Sequence, residues 1–441
     1  MRGEASRAAL RAWNPVPALL LGDEMRGHGY NARLPRPGVL TPRRGFVTLK
    51  HRMSADTVHL VPTTPPVSQG AMSRVASGFL LFAFFWVVAA AAFSGFAGKW
   101  GLRDGDPRFG VAAMLQHEAH KPFVYRQLVP DLARRLDGVA SERFKEKVAK
   151  RFRPDEVFAK SHPGSTPGER FRYAIVYYAS FLSLLGALFV LRRILLHFNV
   201  SPLAAVLAPT AFALAFPYLQ TVGGYFYDTV ELLFASLAFL LALRGRLIAL
   251  AALVLVATLN KETFFFVLPA LYPLLRQRFT RRMAWCAVGL LVLLAGLMNV
   301  ALKVAYLEAV GGAAEFHLFD NLEAYVFGTA YFRLETTYGL VGPSRAFIGT
   351  LAVLGIVLWR AWPLAPRVVR RHLAICAIVN LPLFLAFCAT GELRNLSTTF
   401  TGLVLLVSFL IDREASLRSG QRSADAAEAP AQDPEPASLQ A

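Results

Sequence analysis

Long apolar segments recur along the 441-residue chain, and they constrain its fold more than any other feature of the sequence. A membrane-spanning helix needs about 20 mostly apolar residues, and somewhat fewer where neighbouring helices bury its ends. The segments predict an all-α fold, a polytopic transmembrane helical bundle of about ten spans. The candidate spans cover residues 78–97, 173–191, 201–219, 228–243, 247–260, 262–275, 283–303, 345–360, 372–390 and 396–411.

The composition agrees with this fold class, because 55% of the residues are hydrophobic and only 17% are charged. Soluble globular domains usually have about half apolar and about a quarter charged residues. A disordered, fibrous or disulfide-stapled protein is thereby excluded. The three cysteines, Cys286, Cys376 and Cys388, lie inside apolar segments, and no pair has the spacing of metal ligands. We interpret them as buried apolar thiols.

The placement of charge predicts how the chain crosses the membrane. The loops after the second, fourth, sixth and eighth spans contain arginines and no Asp or Glu, whereas acids gather in the opposite loops. Basic loops face the cytoplasm, so we expect both termini there and an even number of spans. The net charge of +18 is spread along the chain, so nucleic acid is not an expected partner. The arginines are Arg192, Arg193, Arg244, Arg246, Arg276, Arg278, Arg281, Arg282, Arg360, Arg367, Arg370 and Arg371.

The two ends of the chain lack the long apolar segments. Residues 1–77 contain scattered Pro, Gly and Arg, which predicts a disordered cytosolic extension. Met53 and Met72 are alternative starts, and we hypothesise that much of residues 1–52 is an over-long gene prediction. Residues 412–441 are rich in Ala, Glu, Pro, Ser and Gln, which is typical of a disordered cytosolic tail.

The long loop after the first span holds the first candidates for chemistry, Asp104 and Asp106. Two carboxylates at the membrane surface could act as a general base or hold a divalent cation, or they could form a solvated acidic turn. Further along, Tyr125 and Arg126 could form a fixed fork for a phosphate, or an interfacial anchor. Residues 131–160 alternate basic and apolar side chains, which predicts amphipathic helices on the membrane surface.

The fourth span begins with polar residues on the same side of the membrane. Tyr227 and Asp228 enter this span, where Asp228 could cap the helix or contact a ligand. Glu231 follows one helical turn after Asp228, so the two acids could face one cleft.

Two further turns on this side place charged residues between spans. Asn260, Lys261 and Glu262 separate the fifth span from the sixth. Lys261 and Glu262 could simply pair with each other, and Asn260 could cap the sixth span. Alternatively, Lys261 could contact a phosphate while Glu262 fixes the position of the Lys261 side chain. Glu392 and Arg394 lie between the last two spans, where they could form a charged turn or contribute to a site.

All of these candidates fall on one predicted side of the membrane, whereas chance placement would spread them over both. The cytosolic loops contain nothing that resembles a nucleotide-binding loop, so a soluble nucleotide substrate is not expected. We therefore expect the chemistry on the extracytoplasmic face.

Residues 123–130, 227–228, 260–263 and 392–394, with the early acidic residues of the first loop, resemble those of the GT-C superfamily of polytopic membrane glycosyltransferases, in a bacterial branch. The resemblance covers roughly residues 75–411, which include the transmembrane domain of residues 78–411. It implies an enzyme of the bacterial inner membrane that moves a sugar from a polyprenyl-phosphate donor to an envelope acceptor. Membrane lipids are further expected partners, and the resemblance leaves a divalent cation open as a cofactor.

The resemblance also implies roles for individual residues. Asp106, or Asp104, would take a proton from the acceptor hydroxyl as that hydroxyl attacks the anomeric carbon. Lys261, Arg394 and Arg126 would hold the departing polyprenyl phosphate and stabilise its charge. Asp228 and Glu392 would orient the sugar or these basic residues.

Two other classes of function stay open at the level of sequence. A transporter or flippase for a lipid-linked or anionic solute predicts polar groups near the middle of several spans. A non-enzymatic membrane assembly protein predicts no closed cleft and tolerance of substitutions at the charged turns. The polar residues of this chain gather at the ends of the spans instead, which favours the glycosyltransferase.

Overall fold

The computed structural model describes residues 71–158, 160–312 and 314–428, and these residues are mostly helical. Four 3₁₀ helices accompany the α-helices, over Phe123–Tyr125, Glu262–Leu271, Trp362–Leu364 and Leu393–Thr399. The α-helices are α1 (Ala71–Trp100), α2 (Val111–Leu115), α3 (Leu128–Val139), α4 (Glu142–Arg151), α5 (Pro154–Val157), α6 (Pro167–His197), α7 (Ala204–Leu219), α8 (Phe226–Arg244), α9 (Leu247–Asn260), α10 (Tyr272–Leu275), α11 (Arg281–Ala305), α12 (Leu318–Val326), α13 (Ile348–Ala361), α14 (Arg367–Phe387) and α15 (Phe400–Glu428).

All ten apolar segments identified in the sequence are helical. Six helices of the described chain are long and apolar enough to cross a membrane, and four shorter apolar helices accompany them. The shorter helices are Ala204–Leu219, Leu247–Asn260, Glu262–Leu275 and Ile348–Ala361. The six long helices are Val75–Trp100, Pro167–His197, Phe226–Arg244, Arg281–Ala305, Arg367–Phe387 and Leu393–Arg418.

The structure differs from the sequence prediction at both ends of the membrane domain. Helix α1 begins at Ala71, and helix α15 continues to Glu428, where the composition predicts disordered ends. Ala and Arg recur in residues 412–428, the last part of α15, and both have high helix propensity. The rest of both predicted ends, residues 1–70 and 429–441, lies outside the described residues.

The loop after α1 folds against the bundle. Its amphipathic sequence forms α3, α4 and α5, of which α3 and α4 pack on α6. Phe152 contacts Tyr177 of α6 edge-on, with ring centroids 5.1 Å apart. Lys145 joins α4 to α3 through Asp137, at 3.0 Å. The expected amphipathic helices are therefore present, and one side of them is already covered by protein.

A β-hairpin interrupts the expected all-α fold. Its strands, β1 (Leu334–Thr337) and β2 (Leu340–Pro343), pair antiparallel with Thr337 opposite Leu340. The two turn residues, Tyr338 and Gly339, both have positive φ, of 57° and 76°, as a two-residue type I′ hairpin requires. The Tyr338 hydroxyl donates to the Leu214 carbonyl at 3.0 Å, and Glu335 pairs with Lys99, so the hairpin is fastened to α7 and α1.

Two apolar cores hold the bundle together. One lies between α1, α6 and the first loop, and the other between α8, α9, α11, α14 and α15. Helix α8 packs most extensively on α6 and also contacts α9, so it takes part in both cores. The beginning of α8, the end of α9 and the 3₁₀ turn before α15 come together at one end of the bundle, where the polar residues gather.

Candidate functional site

A cavity of about 470 Å³ opens at the end of the bundle where α8 begins and α9 ends. Its volume is within the range of small-molecule sites in proteins. Helix α14 contributes the apolar side chains of Leu383, Phe384 and Phe387, and Phe266 adds to them. The charged part of the lining comes from other elements. Its charged residues are Lys121, Arg126, Glu231, Lys261, Glu262, Glu315, Glu392 and Arg394.

Arg126 is held from two sides. Its Nη2 and Nε donate to the two carboxylate oxygens of Glu262, at 2.9 and 3.2 Å, and its Nη1 donates to the Tyr227 hydroxyl. Burial, the largest single influence, would lower the pKa of Arg126, but the charge and hydrogen bonds of Glu262 together with Tyr227 raise that pKa. Because the fork is planar and doubly bonded, Arg126 presents a charge of fixed orientation at the edge of the cavity.

Lys261 and Glu231 form the most deeply buried ion pair of the lining, with exposures of 2% and 3%. Lys261 Nζ donates to Glu231 Oε2 at 2.7 Å and to Asn395 Oδ1 at 3.3 Å. Ser397 donates to the other oxygen of Glu231 at 2.8 Å. An ammonium group has three N–H donors, so one N–H of Lys261 remains for a ligand.

Arg394 links the last turn to the beginning of α8. Its Nη1 donates to Asp228 Oδ1 at 3.1 Å, and its Nη2 donates to Glu392. Its buried Nε has no hydrogen-bond partner among the described residues. Asp228 is the third residue of α8, and its Oδ2 accepts from the backbone N–H of Tyr225 at 3.0 Å. Asp228 therefore closes the first helical turn, as an acid at this position does in a capping box, and pairs with Arg394 at the same time.

Two tyrosine rings support the guanidinium groups. Tyr225 and Tyr227 stack with centroids 5.0 Å apart and an interplanar angle of 10°. The Arg394 guanidinium lies 4.4 Å from the Tyr225 ring, and that of Arg126 lies 4.6 Å from the Tyr227 ring. Cation–π contacts of this kind hold a guanidinium without neutralising it. The two arginines thus keep their charge while their positions are fixed.

The remaining predicted binding residues lie behind this lining. Asn260 donates to the Tyr227 carbonyl at 3.2 Å, which ties the end of α9 to the beginning of α8. Tyr125 is buried, and burial together with the charge of Glu262 raises the pKa of its hydroxyl. The structure therefore brings together all the predicted binding residues, some in the lining and some one layer behind it.

Asp104 and Asp106, the two predicted base residues, do not belong to the lining. Asp106 accepts from the backbone N–H of Arg108 at 2.9 Å. Slight burial would raise its pKa, but the hydrogen bonds from Arg108 outweigh burial and lower it. Asp104 is buried, accepts from the His162 backbone at 2.6 Å, and has a pKa raised by that burial. The residue of this turn that contacts the site is Arg103, whose guanidinium lies 5.1 Å from the Tyr225 ring. The base role stays a prediction.

Several polar lining residues were not among the predicted site residues, and they include Asn380, Ser397 and Thr398. Asn380 sits inside an apolar segment, where an amide side chain is itself a signal of function. It donates to Thr398 Oγ1 at 2.6 Å, and Ser397 binds Glu231. The two hydroxyl residues carried no such signal, because hydroxyl side chains are common in helical segments. Of these uncharged polar residues, only Asn380 was therefore predictable from the sequence.

The described residues contain no group of three or more His, Cys, Asp and Glu side chains that could hold a metal ion. Three of the carboxylates that line the cavity, Glu231, Glu262 and Glu392, are each paired with a lysine or an arginine. The arrangement is suited to holding cations of the protein in place around an anionic or polar ligand.

Comparison with protein-family models, with curated proteins and with solved structures finds no match to this chain.

Proposed function

We propose that this protein is an integral membrane glycosyltransferase that moves a sugar from a polyprenyl-phosphate donor to an envelope acceptor. The observation that carries the proposal is a cavity with three buried, carboxylate-fixed cations beside an aromatic, apolar lining. A lipid phosphate would match both parts of this lining, because its anionic head would meet the cations and its apolar chain the apolar side chains. Charges of fixed orientation stabilise an anion that develops in a reaction.

In the proposed reaction the acceptor hydroxyl attacks the anomeric carbon, and the bond from that carbon to the phosphate oxygen breaks. The polyprenyl phosphate leaves with the electron pair, and Arg126, Lys261 and Arg394 stabilise its charge. One N–H of Lys261 has no acceptor among the described residues and is available for a phosphate oxygen. The proton of the acceptor goes to a carboxylate, for which the family resemblance suggests Asp106 or Asp104.

The proposal includes the membrane topology. Six long and four shorter apolar helices would give ten spans, with both termini in the cytoplasm of a bacterium. The cavity would then open on the extracytoplasmic side of the inner membrane, since the arginine-rich turns lie at the other ends of these helices. Envelope acceptors and lipid-linked sugars are both accessible on that side.

Binding of the donor lipid is tested by comparing a polyprenyl phosphate with the corresponding polyprenol, added to the purified protein in detergent. The phosphate should raise the midpoint of thermal unfolding by more than the alcohol does, because a ligand stabilises the state that binds it. The double variant Glu231→Gln/Lys261→Met should lose this difference. The matched control Lys303→Met, at an exposed lysine of α11, should keep it. Equal shifts from the phosphate and the alcohol would contradict the proposal.

Transfer is tested by mass spectrometry of envelope glycans and lipid-linked sugars in cells with and without the gene. Loss of a glycan together with accumulation of its lipid-linked precursor is the expected result. The Lys303→Met variant should restore the glycan, and the double variant should not. An unchanged profile of both glycans and lipid-linked sugars in the deletion strain would overturn the proposal.

A further inference from the structure

We infer that residues 316–341 form an interfacial element that rests in the lipid at the cavity end of the bundle. This segment contains α12 and most of the β-hairpin, and in the sequence it belongs to a long loop between two spans. The inference rests on which faces of α12 are covered, and it does not depend on the proposed enzymatic activity.

One face of α12 is fixed to the bundle through Asn321, which is only 1% exposed. Its Nδ2 donates to the carbonyls of Leu385 and Cys388, both at 2.8 Å, and its Oδ1 accepts from Thr390 at 2.7 Å. The amide thereby saturates backbone carbonyls at the end of α14. Helix α12 consequently has a defined rotation about its own axis.

The two outward sides of α12 differ in chemistry. Counting about 100° per residue from Asn321, Leu322, Val326 and Phe319 lie at about 100°, 140° and 160°. Asp320 lies at about 260°, and Glu323, at about 200°, lies between Phe319 and Asp320. Phe319 is 74% exposed and Val326 is 76% exposed, and both acids are exposed too. A helix with one apolar side, one charged side and one side against protein is suited to a boundary between lipid and water.

The apolar side of α12 continues into surfaces that the membrane covers. Phe316 contacts Phe387 of α14 at 5.9 Å between centroids and Phe319 at 6.1 Å. Helix α11 exposes a line of apolar residues that extends beyond its end to Leu307 and Val310. The hairpin and the residues before it add further exposed apolar side chains, those of Phe332, Leu334, Leu340 and Val341.

Lipid is the occupant that this surface fits. A soluble protein seldom exposes so many large apolar side chains of one segment to water. Here Phe316 contacts Phe387 of α14, a helix apolar enough to span a membrane. Since α12 is fastened to the end of α14, the patch lies at the level where those helices meet water. The acids on its other side would then point to the aqueous phase.

The inference sets the level of the cavity within the membrane. His317, immediately before α12, lines the cavity, and its backbone N–H donates to the Ala386 carbonyl at 2.8 Å. This hydrogen bond joins the segment to the end of α14 beside the cavity. An element that rests at the lipid boundary therefore carries part of the cavity wall. The cavity would open at the depth of the lipid headgroups.

The test compares four label sites on α12 in the full-length protein. Single cysteines replace Phe319, Val326, Asp320 and Glu323 in a Cys286→Ser background. Cys286 is exposed, so its interpretation as a buried thiol was wrong, and it would otherwise be labelled. Each is labelled with the fluorophore NBD and reconstituted in phosphatidylcholine vesicles. A spin-labelled lipid and iodide, present on both sides of the vesicles, serve as quenchers. The Cys286→Ser parent supplies the labelling background.

The lipid quencher should act several-fold more strongly on the labels at positions 319 and 326 than on the label at 320, with position 323 between them. Iodide should show the reverse order. The four sites are matched, because all are exposed positions of one helix. Equal iodide quenching at all four would place the segment in water and overturn the inference. Shielding of positions 319 and 326 from both quenchers would also overturn it, since protein would then cover the patch.

Discussion

The charged residues around the cavity and the acidic turn of residues 103–106 differ in where their partners come from. Around the cavity, Arg126 pairs with a carboxylate 136 residues away, and Arg394 with one 166 residues away. In the acidic turn, Asp106 binds Arg108, which is two residues away. From the sequence, both regions were predicted to belong to the site of sugar transfer.

The difference shows what burial adds to a charged motif. A buried ion pair requires both charges to leave water, so losing one partner leaves the other uncompensated. A local, exposed pair loses little when it is broken, because water replaces the partner. Substitutions at the buried pairs around the cavity should accordingly have large effects, and a substitution at the partly exposed Asp106 a small one.

The largest expected effect belongs to Lys261→Met. This change leaves the Glu231 carboxylate buried with Ser397 as its remaining donor. We expect a loss of about 3–5 kcal/mol in the free energy of unfolding, as for other broken buried pairs. Thermal and denaturant unfolding in detergent measure it.

The Glu231→Gln/Lys261→Met double variant is the control for this prediction. It removes both charges, so most of the lost stability should return. Lys303→Met should unfold like the wild type. A single variant as stable as the wild type would show that the pair is solvated, contrary to its burial.

A smaller effect is expected from Arg126→Lys. Lysine keeps the charge but cannot bond both oxygens of Glu262 and the Tyr227 hydroxyl together. Loss of a hydrogen bond to a charged group corresponds to about 1.5–3 kcal/mol, or roughly 10- to 100-fold in the rate of sugar transfer. The rate is measured in membranes with a polyprenyl-phosphate sugar. Arg135→Lys, at an exposed position of α3, is the matched control and should leave it unchanged. Equal rates for the two variants would remove Arg126 from the site.

The smallest expected effects concern how the stability contributed by Asp104 and Asp106 depends on pH. The pKa of Asp104 is raised above 3.8, so its contribution to stability is complete below that value and is lost as pH rises through the folded-state pKa. The pKa of Asp106 is lowered, so its contribution is present above 3.8 and is lost as pH falls through the folded-state pKa.

Relative to the wild type, Asp104→Asn should therefore gain stability as pH rises from about 3 to about 7, and Asp106→Asn should lose it. Unfolding midpoints across that range measure both trends. The same two variants, assayed for sugar transfer, test the predicted base. Parallel pH trends in the two variants would refute the contrast between a buried and a paired carboxylate.

Much of the fold was predictable because the spans depend on local composition, and all ten apolar segments are helical. The hairpin at Tyr338-Gly339 escaped, because strands of four residues are too short to give a clear alternation of polar and apolar side chains. Most of the predicted binding residues came together because they stand at the ends of spans on the same side, whereas packing of the first loop brings Tyr125 and Arg126 there. The exclusion of Asp104 and Asp106 from the lining was not predictable, since it depends on how the first loop packs against the bundle.

The sequence by itself determined which parts of the chain are apolar helices and at which ends their charges gather, because hydrophobicity and charge act over a few neighbouring residues. Only the tertiary structure decided which cation meets which carboxylate. Lys261 and Glu262 are neighbours in sequence, yet Lys261 pairs with Glu231 and Glu262 pairs with Arg126. Their partners lie on other elements, and packing of those elements brings the charges within hydrogen-bond distance, where burial makes each pairing specific.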